Sequence, residues 1–434
     1  MFWNLLMAVL NFFPVPVTEE CLSDDSRRTG LCLNTYECRI QNGESHGPCA
    51  LGFGVCCVFT ASCNAEVANN VTYFVNPNFP GLLDDVGECS LRVKKISKDI
   101  SQIRLDFVNF NLAQPNRKTG VCETDTFVVT GGASNDLRIC GLNSGQHVYY
   151  DMDDTKDYVT INIRLTKGNY NRMWEIKITQ VEFAQRAPAG CLQYFHEVAG
   201  TVQTMNFAVN GRHLADQDYV ICIRQEHGMC SIAYEPCDEN SFKIGPPILS
   251  DTGIEGSGDE GGDAPGGSQV VSMDVFRECS DRVMMPCDSE EFITPQGGPG
   301  ICDLLHCGNN FCTDKETPCR IESSTTPFVM RVQFGPGNRE ENPEDNLGMC
   351  LRYEQQQCSS INVPLPRLPP QSAIVIHVFV ADCFLGPLTP PTPVDITGSA
   401  FTPTPFGFNV IATPTAFGRL IVIVMHMGIP SVPA

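Results

Sequence analysis

Through the middle of the chain, apolar and polar residues alternate with a period of two. Val159, Ile161, Ile163 and Leu165 interleave with Thr160, Asn162, Arg164 and Thr166, and Trp174, Ile176 and Ile178 with Glu175, Lys177 and Thr179. A strand turns successive side chains to opposite faces, so these runs predict strands with one face in a core and the other in water. Ile103, Leu105 and Phe107 follow the same pattern before its phase slips toward Phe110 and Leu112, as a β-bulge would cause. Turn clusters at residues 116–120, 131–132 and 167–169 separate the runs. Short strands with regular turns predict an antiparallel β-sandwich over residues 61–184.

A second set of strand-like runs lies between residues 189 and 358. Residues 219–223 and 231–234 flank a turn at His227-Gly228, and Cys222 and Cys230 are placed to staple that hairpin. Met330, Val332 and Phe334 alternate with Arg331 and Gln333, and Met349, Leu351 and Tyr353 with Cys350, Arg352 and Glu354. Landmarks repeat the order of the first sandwich: Cys279-Ser280-Asp281 parallels Cys122 and Asp125, and Cys307-Gly308 parallels Cys140-Gly141. This predicts a Cys279–Cys307 bond, with Cys191, Cys237, Cys287, Cys302, Cys312, Cys319, Cys350 and Cys358 unassigned. A Gly-rich acidic insertion at 250–268 interrupts the domain and reads as a solvated loop. Residues 359–434 are Pro- and Thr-rich, hold Cys383 alone among the cysteines, and are expected to be disordered.

Composition then sets the compartment. Twenty-three cysteines in 434 residues are too many for a reduced cytosolic protein, so disulfides and an extracellular location are expected. Residues 2–13 (FWNLLMAVLNFF) are too short to span a bilayer and suit a signal peptide over residues 1–18. No other apolar run is long enough to cross a membrane. A net charge of −21 excludes a nucleic-acid binder, which needs a basic surface, and favours basic partners. Asn70-Val71-Thr72 is a sequon, so Asn70 is expected to carry a glycan.

Residues 19–60 hold Cys21, Cys32, Cys38, Cys49, Cys56 and Cys57 and little that could form a core, so disulfides must be their skeleton. Adjacent Cys56 and Cys57 must take different partners; spacing alone leaves the rest open. The wording TGLCLNTYEC…GPCALGFGVCC resembles the clip-type knot of arthropod extracellular proteins. That resemblance implies Cys21–Cys56, Cys32–Cys49 and Cys38–Cys57.

Residues 61–184 resemble a CUB domain. Cys63 and Cys89 flank VNPNFPG, Cys122 opens CETDTFVV, and Cys140 closes ICG. The resemblance implies Cys63–Cys89 and Cys122–Cys140. Many CUB domains hold Ca²⁺ on three acidic side chains. Asp125 matches one of them, but the other two positions fall at Ala113 and near Lys167 or Gly168, so no metal is expected. The wording GCLQYF…LADQDYVICIRQEHGMCSIAYEPC, after WEIKITQVE, is similar to a family of secreted arthropod proteins with a knot, a CUB domain and a divergent CUB-like domain. Ser101 departs from that family, whose members often have a cysteine there. The expected fold class is all-β: a small disulfide knot, two antiparallel sandwiches and a disordered tail.

Nothing in the chain reads as catalytic. No GDSGG-like serine or TAAHC-like histidine motif is present, and His196-Glu197 lacks the second histidine of an HExxH site. The cluster Cys302, His306, Cys307, Cys312 and Cys319 invites zinc, but an oxidising compartment favours disulfides. The expected function is non-catalytic recognition of an extracellular protein or glycan, without a cofactor. Two alternatives are an accessory regulator of an extracellular serine-protease cascade and a structural component of cuticle or matrix.

Overall fold

The computed structural model describes residues 20–207, 211–246, 279–286, 305–312 and 319–358, and two short strands, Thr413–Pro414 and Leu420–Ile421, that pair antiparallel with each other. The expected signal peptide, the insertion 250–268, the rest of the tail, and Cys287, Cys302 and Cys383 lie outside the described residues.

The knot is a four-stranded sheet in the order β1-β2-β4-β3, formed by β1 (Glu20–Leu22), β2 (Thr29–Leu33), β3 (Glu44–Cys49) and β4 (Gly54–Val58). Helix α1 (Thr35–Ile40) starts at Asn34, whose side chain accepts the Tyr36 N–H at 2.8 Å. The buried cluster is only Leu33, Cys38, Cys57 and Phe59, too small to hold the module unaided. Disulfides Cys21–Cys56, Cys32–Cys49 and Cys38–Cys57 carry it. Packing around them is tight, for a Cβ on Gly43 would lie 2.2 Å from the Cys57 sulfur. The knot is seated on the next domain: Arg28 pairs with Glu175 at 2.7 Å, and the Thr29 N–H donates to the Tyr73 hydroxyl at 2.8 Å.

The first sandwich contains β5 (Thr60–Ala61), β6 (Ala65–Val67), β7 (Val71–Val75), β8 (Gly87–Lys94), β9 (Ile100–Asn111), β10 (Thr126–Thr130), β11 (Leu137–Ile139), β12 (His147–Asp151), β13 (Tyr158–Leu165) and β14 (Met173–Glu182). They form two five-stranded sheets, β11-β10-β13-β8-β6 and β12-β9-β14-β7-β5. The alternating apolar positions of β13 and β14 point between the sheets, where Phe107, Phe110 and Phe127 pack with ring centroids 4.8–5.7 Å apart. The phase slip in β9 is a bulge. Glu175 pairs with Asn109 and Ile176 with Phe107, which leaves Val108 unmatched and 44% exposed. Cys63–Cys89 and Cys122–Cys140 pin the strand ends, each worth a few kcal/mol through the unfolded chain.

The second sandwich contains β15 (Cys191–Phe195), β16 (Ala199–Gln203), β17 (Gln217–Ile223), β18 (Met229–Pro236), β19 (Phe242–Lys243), β20 (Arg282–Met284), β21 (Leu305–His306), β22 (Ile321–Ser323), β23 (Phe328–Phe334) and β24 (Gly348–Gln357). One sheet is β15-β17-β23-β20-β21; the other is β16-β24-β18-β22, with β19 also paired to β24. The expected Cys222–Cys230 staple is not formed. At the turn near His227 the chain leaves one sheet for the other, so β17 and β18 are not hydrogen-bonded neighbours. Cys222 instead bonds Cys191 on the adjacent β15, and Cys230 bonds Cys358 beyond the end of β24. Cys237–Cys350, Cys279–Cys307 and Cys312–Cys319 complete the described bridges. The knot and both sandwiches belong to one compact unit that ends at Ser359.

Candidate functional site

Asp125 lies just before β10 and is fully buried, which a carboxylate tolerates only when its lone pairs are satisfied. Its Oδ1 accepts the Thr166 N–H at 3.0 Å and Arg172 Nη2 at 2.9 Å. Its Oδ2 accepts the Ala113 N–H at 3.1 Å and Arg172 Nε at 2.7 Å. Arg172, equally buried, also donates from Nη1 to the Asp85 carbonyl at 3.2 Å and from Nη2 to the Thr166 carbonyl, and its guanidinium lies over the Tyr170 ring. A carboxylate offers about four acceptor sites, and here four N–H donors occupy them. The geometry therefore gives this carboxylate an arginine as its cation. Ala113 contributes only its backbone, and neither Lys167 nor Gly168 carries an acidic oxygen. Raising Ca²⁺ to millimolar levels is expected to leave the melting temperature unchanged in a calorimetric scan; a rise would mean the ion still finds a folded-state site.

The second sandwich repeats this corner. Asp281 precedes β20 and accepts the N–H of Gly335, the residue after β23, at 2.7 Å, as Asp125 accepts that of Thr166 after β13. Cys279–Cys307 stands where Cys122–Cys140 stands. The cluster around His306 resolves into sulfur bridges: Cys307 bonds Cys279, Cys312 bonds Cys319, and His306 Nδ1 lies 3.3 Å from the Phe311 carbonyl.

A family model for the CUB domain matches residues 63–178, and one for the animal CUB domain matches residues 188–356. The chain contains two CUB domains. CUB domains are typically extracellular protein-interaction modules, which agrees with the many disulfides. Similar solved structures include the CUB1-EGF-CUB2 domains of rat MASP-1, at 12% identity over 68% of this chain and 100% of that one, with a TM-score of 0.22. The same domains of human MASP-1/3 match at 14% identity over 66% and 100%, with a TM-score of 0.22. The full extracellular region of zebrafish Gpr126/Adgrg6 matches at 11% over 69% of this chain and 38% of that one, with a TM-score of 0.24. No curated protein sequence matches significantly.

The two CUB domains are joined by buried polar contacts as well as by the chain. Asn206 of the second domain, fully buried with φ +63°, is the hub. Its N–H donates to Asn143 Oδ1 at 2.7 Å, its Oδ1 accepts the Leu142 N–H at 2.7 Å, and its Nδ2 donates to Gln114 Oε1 at 3.0 Å. Around it, the Ala215 N–H donates to the Gly120 carbonyl at 2.9 Å, Gln146 Nε2 to the Thr204 carbonyl at 3.2 Å, and the Glu341 N–H to the Lys118 carbonyl at 3.0 Å. His147 on β12 meets β15, its Nε2 3.0 Å from the Tyr194 carbonyl and 3.2 Å from the Tyr194 nitrogen. Burial, then the nearby Arg104 cation, brings its pKa down to about 4. Gln102 clamps the linker by exchanging two hydrogen bonds with Ala187, at 2.8 and 3.1 Å.

None of these junction residues carries a periodic or spacing signal, and the sequence reading did not find them. Gly141 tests the junction. It adopts φ +78°, and a Cβ there would fall 2.1 Å from Asn206 Oδ1. Gly141→Ala is expected to destabilise the protein by about 1–3 kcal/mol, read as a lower unfolding midpoint. An unchanged midpoint would contradict a tight junction.

Proposed function

We propose that this is a secreted, non-catalytic protein that recognises another extracellular protein of basic character through the surface its two CUB domains share. The observation that carries the reading is the buried, hydrogen-bonded junction around Asn206. Such a junction would hold the surfaces of both domains in one frame before any partner arrives, so that little conformational entropy is lost on association. The acidic balance of the chain favours cationic partners and salt-sensitive association. The clip-like kinship of the knot, export by the N-terminal apolar run and a glycan on Asn70 belong to the same proposal.

Expression in a secretory cell line is expected to deliver the protein to the medium with its thiols oxidised. Cross-linking to an extracellular protein fraction should then capture a partner, with yield falling as salt rises. Cytoplasmic retention with titratable thiols, or no partner at any salt, would overturn the reading. Asn70→Gln is expected to abolish the mobility shift caused by deglycosylation; a shift that persists would place the glycan elsewhere.

A further inference from the structure

The two CUB domains enclose between them a cleft of about 950 Å³. The first domain contributes Asp136 and Asp151 to its lining and the second Asp216 and Asp218, with Arg138 as the one cation among the lining residues. These aspartates differ in what already holds them. Asp151 accepts from Gln102 Nε2 at 2.6 Å and from the Ser134 hydroxyl at 3.4 Å, and Asp218 is engaged at both oxygens by Arg331 at 2.7 Å. Asp136 and Asp216 are exposed, and their carboxylates have no hydrogen bond or ion pair among the described residues. Setting Arg138 and Arg331 against the four aspartates leaves a net charge of 2 − 4 = −2 at the cleft, with two of the aspartates contributed by each domain.

Tyr149, Tyr219 and Leu192 line the same cleft, so its surface also suits apolar contact. Two disulfides fix its walls, because Cys122 is bonded to Cys140 and Cys191 to Cys222. A lysine or arginine side chain matches this mixture: its methylene stem packs on apolar and aromatic surface while its charged end reaches the carboxylates. We propose that the cleft binds an extended, lysine- or arginine-bearing segment of a partner protein. This rests on the protein-binding reading above and names its site. The chain's own undescribed segments fit less well: the run 251–263 is acidic, and residues 359–434 carry two acidic and two basic side chains.

The test uses the full secreted chain and a fluorescent hexalysine peptide, with hexaglutamate as the opposite probe. Asp136→Asn with Asp216→Asn is compared with a charge-matched pair outside the cleft, Glu88→Gln with Glu239→Gln. Hexalysine is expected to bind wild type and control pair alike, and the cleft pair at least about tenfold more weakly. Hexaglutamate should not compete, and Arg138→Gln should tighten hexalysine binding. Equal weakening by both pairs, weakening by neither, or no binding to wild type would overturn the cleft as the site. A chain occupying its own cleft would appear as hexalysine binding only after removal of residues 359–434, and would overturn the partner assignment. A captured partner whose cross-links survive the cleft variants would leave the protein-binding reading standing while this proposal fell.

Discussion

Replacing Arg172 by methionine, with Asp125 left in place, is expected to cost about 3–5 kcal/mol of stability, because it strands a buried carboxylate without its cation. Asp125→Ala should be at least as damaging, since it also orphans the buried N–H of Ala113 and that of Thr166. The double variant Asp125→Asn with Arg172→Met should be milder than either single change, as removing both charges removes the desolvation penalty with them. Urea unfolding followed by the fluorescence of Trp174, fully buried and two residues from Arg172, reads all three. Single-variant losses below about 1 kcal/mol would show that the pair does not act as the resident ion of this corner.

Acid should act through the histidines. Burial pulls the pKa of His306 down to about 4, and burial with the Arg104 cation does the same to His147, from an ordinary value of 6.5. His213 shifts in the same direction through burial and through Arg212, whose Nη1 lies 2.6 Å from its Nε2. Each folded imidazole therefore refuses a proton that the unfolded chain accepts. Stability is flat above about pH 6.5 and declines as pH falls toward 4, by about 3 kcal/mol per histidine. Glu341, whose carboxyl is raised mainly by burial, opposes this slightly. His306 and His147 together amount to a large part of the stability of a typical domain, and His213 adds in the same direction, so the melting temperature should drop steeply between pH 6.5 and 4.5. His147→Gln should flatten part of that slope. A profile level to pH 4.5 would mean these rings are solvated in the folded state.

Strand positions were legible because a sandwich imposes a period of two, and the slip at Val108 marks a bulge for the same reason. The cysteine-rich composition announced the crosslinks, but sequence proximity misled at Cys222 and Cys230. A short turn between two strands looks the same whether it pairs them or carries the chain to the opposite sheet. Asp125 was visible as a candidate; its partner lies 47 residues further on, in a stretch that reads as an ordinary turn. Asn206, Gln102 and His147 gave no signal, because a junction built from single polar side chains leaves no periodicity to read. The aspartates of the cleft are likewise scattered over three separate segments, 136, 151 and 216–218, and only the fold brings them together.

The central claim is that the two CUB domains move as one body, and hydrogen exchange at the junction tests it most directly. The backbone N–H groups of Leu142, Asn206 and Ala215 each donate to an acceptor in the other domain. If the junction is rigid, peptides covering them exchange as slowly as those of β14 in the core of the first CUB domain. Rapid exchange at these three sites, with β14 still protected, would show domains that hinge freely and would contradict the account.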